Sequence, residues 1–281
     1  MSARNNRASI RDALYEAPGP RTRRRMHVAT AVSAVLVLMG IAAIVRQFYV
    51  TGQLAPRYWS FLTRPTTWAF LLQGFRGTVS VALVAGAIAL VLGLLLMLGR
   101  MSSIRALSAA CRGVIDFFRG VPSLLLIYFF FLVVPQYGIK LSSFWMITLP
   151  VALAASGVLA EVLRAGVNAV PAGQVEAARS IGMRPAQIMR TVILPQAVVV
   201  AIPLFGNNLI MLFKETSLAF SIGVIDMMGR ANVVSAANYG AYRLELYVAV
   251  AVIYWVVCVV IMLVFAGLER GATRSRRPAR A

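Results

Sequence analysis

EVLRAGVNAVPAGQVEAARSIGMRPAQIMRTVILPQA, residues 161–197, is a polar, breaker-rich stretch set between two apolar ones. Joining two membrane spans needs far fewer residues than this. The stretch carries four arginines, Arg164, Arg179, Arg184 and Arg190, and its punctuation reads as helix, turn, helix. Proline is tolerated in a first helical turn, so a helix is expected from about Pro171 and Ala172 through Gln174, Val175, Glu176, Ala177 and Ala178. Gly182 can end that helix in a left-handed conformation that other residues avoid. Pro185 then opens a second helix, with Ile188 and Val192 four apart on one apolar face. The alanine pair leaves the first helix nearly smooth, so another protein's surface can come close to its backbone. A solvated connector between spans is the plain alternative for a loop of this length.

The rest of the chain makes the connector a membrane one. Of 281 residues, 60% are hydrophobic, above the share of a soluble protein. Lipid must therefore be part of the solvent. The net charge of +19 does not point to nucleic acid. The basic residues fall in short clusters between apolar runs, as topology control by positive charge requires.

Taken in order, residues 1–27 are an arginine-rich segment expected to be cytoplasmic, and residues 28–45 form a first apolar span. A cleaved signal peptide is the rival, but its apolar region would be shorter and no clear small-residue cleavage site follows. Residues 46–74 read as an extracytoplasmic loop whose Trp59 and Trp68 suit a membrane interface. Further spans are expected near 77–98, around the short run 124–134, at 144–163, at 198–213 and at 246–268, with a basic tail at 269–281. Ala85, Ala89 and Gly93 recur every four residues, as do Ala152, Ser156 and Ala160, giving two small faces for close packing. Pro203, Gly206, Asn207 and Asn208 interrupt the fifth span, and broken helices are where transporters often hold substrate. Seven arginines lie in 1–27, four in each of the loops beginning at Arg100 and Arg164, and five in the tail. That bias favours six spans, both termini inside, and the 161–197 stretch inside with them.

Little in the chain suggests catalysis. Cys111 and Cys258 have no metal-ligand spacing, and they fall in a predicted loop and a predicted span, which disfavours a disulfide. His27 beside an arginine run reads as an interfacial anchor. There is no phosphate-cradling glycine loop, so any ATP must be hydrolysed by a partner. Local pairs are expected between Asp116 and Arg119, Glu161 and Arg164, and Lys214 and Glu215, with Thr216 and Ser217 capping the segment that follows.

The residues also resemble a known family. Glu176-Ala177-Ala178, three residues, Gly182, nine residues, then Val192, Leu194 and Pro195 is similar to the EAA loop of ABC importer permeases, with Val192 where isoleucine is usual. FFRGVPSLL at 117–125 resembles the FRGTP-LL segment of polar amino acid permeases, with Val121 for threonine. KETSL at 214–218 resembles their K-D/E-T-S-L signature. With GFRGTVSV, AEVLRAGV, GQVEAA and ILPQA, the likeness covers about residues 75–270. It implies an all-α integral membrane protein, with a five-helix permease core at 75–268, an EAA loop at about 164–195, and one extra N-terminal transmembrane helix. It further implies a bacterial inner-membrane importer for a polar amino acid of the histidine, glutamate, glutamine, arginine and opine group. The partners would be ABC ATPase subunits that bind ATP and Mg, a second permease subunit (the same chain or another), and an extracytoplasmic solute-binding protein.

On that resemblance, Gln174, Glu176, Ala177, Ala178 and Gly182 would carry coupling to the ATPase. Glu161, Asn207, Asn208, Lys214 and Glu215 are the polar groups placed for a zwitterionic substrate along an alternating-access path. Two other readings stand beside it. A permease for another small solute would keep the EAA loop but lose KETSL and FFRGVP. A proton- or sodium-coupled transporter would need ionisable residues deep in several spans.

Overall fold

The structure, a computed structural model, describes residues 19–224 and 226–274. The arginines expected at the extreme N-terminus and in the last residues of the tail lie outside the described residues. The chain divides into two compact units, Met1–Trp59 and Ser60–Ala281.

The first unit holds one long helix, α1 (Pro20–Val50), and a single turn, α2 (Pro56–Trp59). Proline opens α1, where its missing N–H costs nothing. Between its arginine-rich first turns and Arg46 the helix is apolar on every side, and it buries none of its residues, as a lipid-facing helix does. It is longer than the expected 28–45 because the arginines before Val28 continue the same helix.

The second unit is a helical bundle. Its elements are α3 (Pro65–Arg100), α4 (Arg105–Gly120), α5 (Ser123–Leu132), α6 (Ser143–Asn168), α7 (Ala172–Ser180), α8 (Pro185–Ile188), α9 (Leu194–Glu215), α10 (Met227–Ala237) and α11 (Arg243–Arg274). A π-helical turn, Met189–Ile193, joins α8 to α9, and a 3-10 turn, Thr216–Ile222, follows α9. No strand occurs among the described residues.

Helix α6 is the hub, packed by α3, α4, α5 and α9. The two small faces meet as their spacing predicts: Ala85 and Ala89 of α3, with Ala152, Ser156 and Ala160 of α6, are fully buried. Gly93 marks the closest approach. A Cβ there would sit 3.0 Å from the Leu159 Cβ and 3.1 Å from the Ala160 nitrogen. Packing through small residues is how helices associate when lipid removes the hydrophobic drive. Larger side chains fill the remaining space: Ile127, Ile147, Val151, Leu212 and Phe213 form the main cluster. A second cluster of Phe61, Leu71, Met227, Leu246 and Val250 ties α10 and α11 to the start of α3.

Several expected boundaries move. Helix α3 begins at Pro65, inside the segment expected to be a loop. The residues before 77 are too polar for a hydropathy window, yet Thr67, Leu71, Gly74 and Thr78 continue the buried stripe of Val81, Ala85, Ala89 and Gly93. The run at 124–134 does not span alone. As the ten-residue α5 it is only about 15 Å long. It forms a broken unit with α4, bent by 94° at Val121 and Pro122. The fifth span is not interrupted where Pro203 and the asparagines stand. Helix α9 runs unbroken from Leu194 to Glu215 with Pro203 inside it, and Gly206 is buried where Phe265 of α11 packs against it. Its irregular backbone lies at its two ends. Among the described residues, five helical stretches are long and apolar enough to cross a membrane, or six if the bent pair counts as one span.

Candidate functional site

At one end of the bundle, α6 leads through Pro171 into α7, and the backbone rules set the shape. The Gly182 N–H donates to the Arg179 carbonyl at 2.9 Å and the Met183 N–H to the Ala178 carbonyl at 3.2 Å. Those two bonds, with Gly182 at φ +80°, close the helix end and satisfy carbonyls that would otherwise be unpaired. Pro185 opens α8, and the Gln187 side-chain oxygen accepts the Arg184 N–H at 2.8 Å. The loop therefore folds as helix, left-handed stop, helix, as its residues predict.

The two arms are held together. Gln196 donates to the Gln174 side-chain oxygen at 2.5 Å and to the Val192 carbonyl at 2.9 Å. Ala178 and Ile188 are buried between the arms, whereas Gln174, Glu176, Ala177 and Gly182 stand exposed. The alanine pair is thus split, one methyl packed inward and one outward. Ile181 was not singled out by sequence, yet it is 78% exposed at the tip. Its signal was readable: an isoleucine just before the helix-ending glycine in an otherwise polar loop.

Glu161 lies one turn before that loop. Arg164 Nη2 bonds its Oε2 at 2.9 Å, as the three-residue spacing predicts. Arg100, at the last residue of α3, engages Oε1, a partner sixty-one positions away that no local rule reveals. Both carboxylate oxygens are taken, so Glu161 ties α3 to α6 at the loop end. Asp116 pairs with Arg112 at 3.7 Å rather than with Arg119, whose side chain packs against Gly157 of α6.

Within the bundle, a cavity of about 300 Å³ is walled by the α4–α5 bend, α6 and α9. It gathers Arg119, Ser123, Asn208 and Glu215 over an apolar floor that includes Ala154 and Leu212. The FFRGVPS bend and the end of α9 thus meet at one place. Glu215 faces the Ser123 hydroxyl and forms no ion pair with Lys214, since adjacent residues on a helix point to different sides. Asn208 donates to the Leu204 carbonyl of its own helix at 2.8 Å and lines the cavity. Asn207 and Lys214 are exposed and do not line it. Thr216 and Ser217 do not cap the next segment. Each donates back one turn, to the Phe213 and Lys214 carbonyls at 2.7 Å. Among the described residues no group of three or more His, Cys, Asp or Glu is placed to hold a metal ion.

A multi-pass helical bundle with a partly polar cavity among its spans and a helix–turn–helix at one end is the architecture of a membrane transport subunit. Residues 88–274 match the family described as binding-protein-dependent transport system inner membrane component, and the chain belongs to it. Among curated relatives, it is 35% identical over 222 residues to the probable amino-acid permease YxeN of Bacillus subtilis, covering 78% of this chain and 97% of that one. It is 39% identical over 188 residues to the L-cystine transport system permease TcyL of the same organism, covering 64% and 77%. A crystal structure of an amino acid ABC transporter with histidines superposes with TM-score 0.70 at 31% identity, covering 75% of this chain and 97% of that one. The inward-facing MetNI methionine transporter shares the fold at TM-score 0.62 and 21% identity, covering 74% and 99%. The protein is a multi-pass inner-membrane permease subunit of an ABC importer; it carries the solute and a partner ATPase hydrolyses the ATP.

Proposed function

We propose that this subunit moves a polar amino acid into the cell by alternating access and takes its drive through α7 and the turn at Gly182. The observation that carries the reading is the projecting α7–α8 unit: closed at Gly182, stapled by Gln174 and Gln196, and exposed at Glu176 and Ala177. Gln174, Glu176, Ala177, Ala178 and Gly182 make the coupling surface, with Ala178 acting from the inside as packing. Two ATPase subunits, a second permease chain and a solute-binding protein complete the assembly. Both termini and α7 lie on the cytoplasmic side, supported by the arginine clusters.

Asn208 and Glu215 contribute to the path through the cavity beside the α4–α5 bend, where a carboxylate and an amide side chain meet a zwitterion's groups. Glu161 serves the path at one remove, by holding α3 against α6. Asn207 and Lys214, exposed here, would join the path only across the second permease chain. The amino acid class is supported by the YxeN and TcyL relatives.

The test is reconstituted uptake. The chain is placed in proteoliposomes with its ATPase and binding protein and offered a panel of radiolabelled amino acids, with Gly182→Pro and Glu176→Lys alongside. The expected result is ATP-dependent uptake of a polar amino acid, lost in both variants while the complex still assembles. Uptake that ignores ATP and follows an ion gradient would overturn the reading.

A further inference from the structure

Another cavity, of about 170 Å³, lies between α3, α6, the Thr216–Ile222 turn and the start of α10. Much of its wall is apolar, from Val81, Phe144, Ile147 and Ala219, but Thr78, Thr216 and Asp226 also line it. Asp226 is 5% exposed. It caps α10, its Oδ1 accepting the Gly229 N–H at 2.6 Å. Capping explains one carboxylate oxygen. The other, Oδ2, is buried and has no hydrogen-bond partner.

No cation among the described residues is paired with it. Arg230, four residues on, lays its guanidinium over the Phe70 ring at 4.4 Å instead. The other polar atoms around the cavity are oxygens with lone pairs to offer. Thr216 spends its proton on the Phe213 carbonyl at 2.7 Å. The Thr78 hydroxyl accepts the Met227 N–H at 3.3 Å. The buried Tyr254 hydroxyl sits beside both threonines. One carboxylate oxygen and several hydroxyl oxygens therefore border a space too apolar to solvate a bare carboxylate, and an unpaired buried charge is strongly disfavoured.

We infer that the Asp226 cavity binds a small monovalent cation (Na⁺, K⁺ or NH₄⁺) through Asp226 Oδ2 and the hydroxyls of Thr78, Thr216 and Tyr254. One carboxylate with neutral oxygens matches a single positive charge, whereas divalent ions favour more carboxylates or retained water. The bound ion would join α3, α10, α11 and the turn after Glu215, and so steady the wall of the 300 Å³ cavity. This does not depend on which solute the permease carries.

The experiment follows the unfolding of the full-length chain in lipid nanodiscs. Choline chloride is exchanged stepwise for NaCl, KCl or NH₄Cl at constant ionic strength. The expected result is a saturable rise of roughly 3 °C in the midpoint with at least one of the three ions over choline. Asp226→Asn and Thr216→Val should flatten it. Identical midpoints in all four salts, or a rise unchanged in the variants, overturns the site. If Asp226→Asn does not fold, Thr216→Val decides alone: a flattened curve supports the site and an unchanged one overturns it.

Discussion

Glu161 and Asp226 show two ways of keeping a carboxylate within a membrane bundle. Glu161 stands at the α7 end, 18% exposed at its side chain, with a guanidinium on each oxygen. Asp226 stands at the start of α10, buried, with one oxygen on a backbone N–H and the other on nothing the protein supplies. The first is a tie between helices distant in sequence. The second is a local cap with a surplus charge. Where partners can reach in from the chain's polar edge, the fold closes its electrostatics internally; where apolar helices pack around the carboxylate, one oxygen receives no hydrogen bond from the described residues. The α7 end is also closed locally, by its stop glycine and the glutamine staple.

The sharpest way to break this contrast is to remove the tie. Glu161→Ala leaves Arg100 and Arg164 facing each other without a counter-charge. A fully buried pair broken in this way costs more, but with a fifth to a third of these side chains exposed the expected loss is about 2 kcal/mol. Chemical denaturation in nanodiscs measures it, and a loss no larger than that of an exposed pair such as Arg112–Asp116 would end the idea of a tie. Next comes the cap. Asp226→Ala removes the acceptor for Gly229 and is expected to cost about 1 kcal/mol, whereas Asp226→Asn keeps an acceptor and should cost almost nothing in choline. Equal losses in the two variants would show that charge, not capping, dominates there. The smallest effect belongs to the staple. Gln174→Ala should cost about 0.5 kcal/mol globally, since one hydrogen bond near solvent nets little. It should still speed amide hydrogen exchange in α7, and unchanged exchange would mean the arms hold together without it.

Much of the helix–turn–helix loop at 161–197 was legible because its signals are local. A proline at a first turn, a glycine that takes positive φ and an alanine pair act within a few residues of themselves, so helix, stop and helix follow from the order of the letters. The small faces of α3 and α6 were legible for a similar reason: a four-residue repeat of Ala, Ser and Gly lies on one side of any α-helix. The extension of α3 to Pro65 was readable only from the buried stripe, because average hydropathy blurs a helix that is amphipathic at one end. Pro203, Asn207 and Asn208 looked like a break and were not one. Helix α9 continues through them, and Phe265 of a helix nearly sixty residues later packs on Gly206.

The sequence by itself determined that the chain crosses a membrane several times, that one polar loop projects from it as two helices about a glycine, and that this loop and its flanking motifs belong to an importer's permease. These follow from composition, short-range backbone preference and motif spacing. Only the tertiary structure decided that Arg100 completes Glu161, that Glu215 turns to Ser123 instead of Lys214, and that Asp226 meets Thr78 and Thr216 around one cavity. Those pairings join residues far apart in the chain, and which side chains meet depends on how helices cross and rotate in the bundle. No local rule carries that information, because it is set by packing.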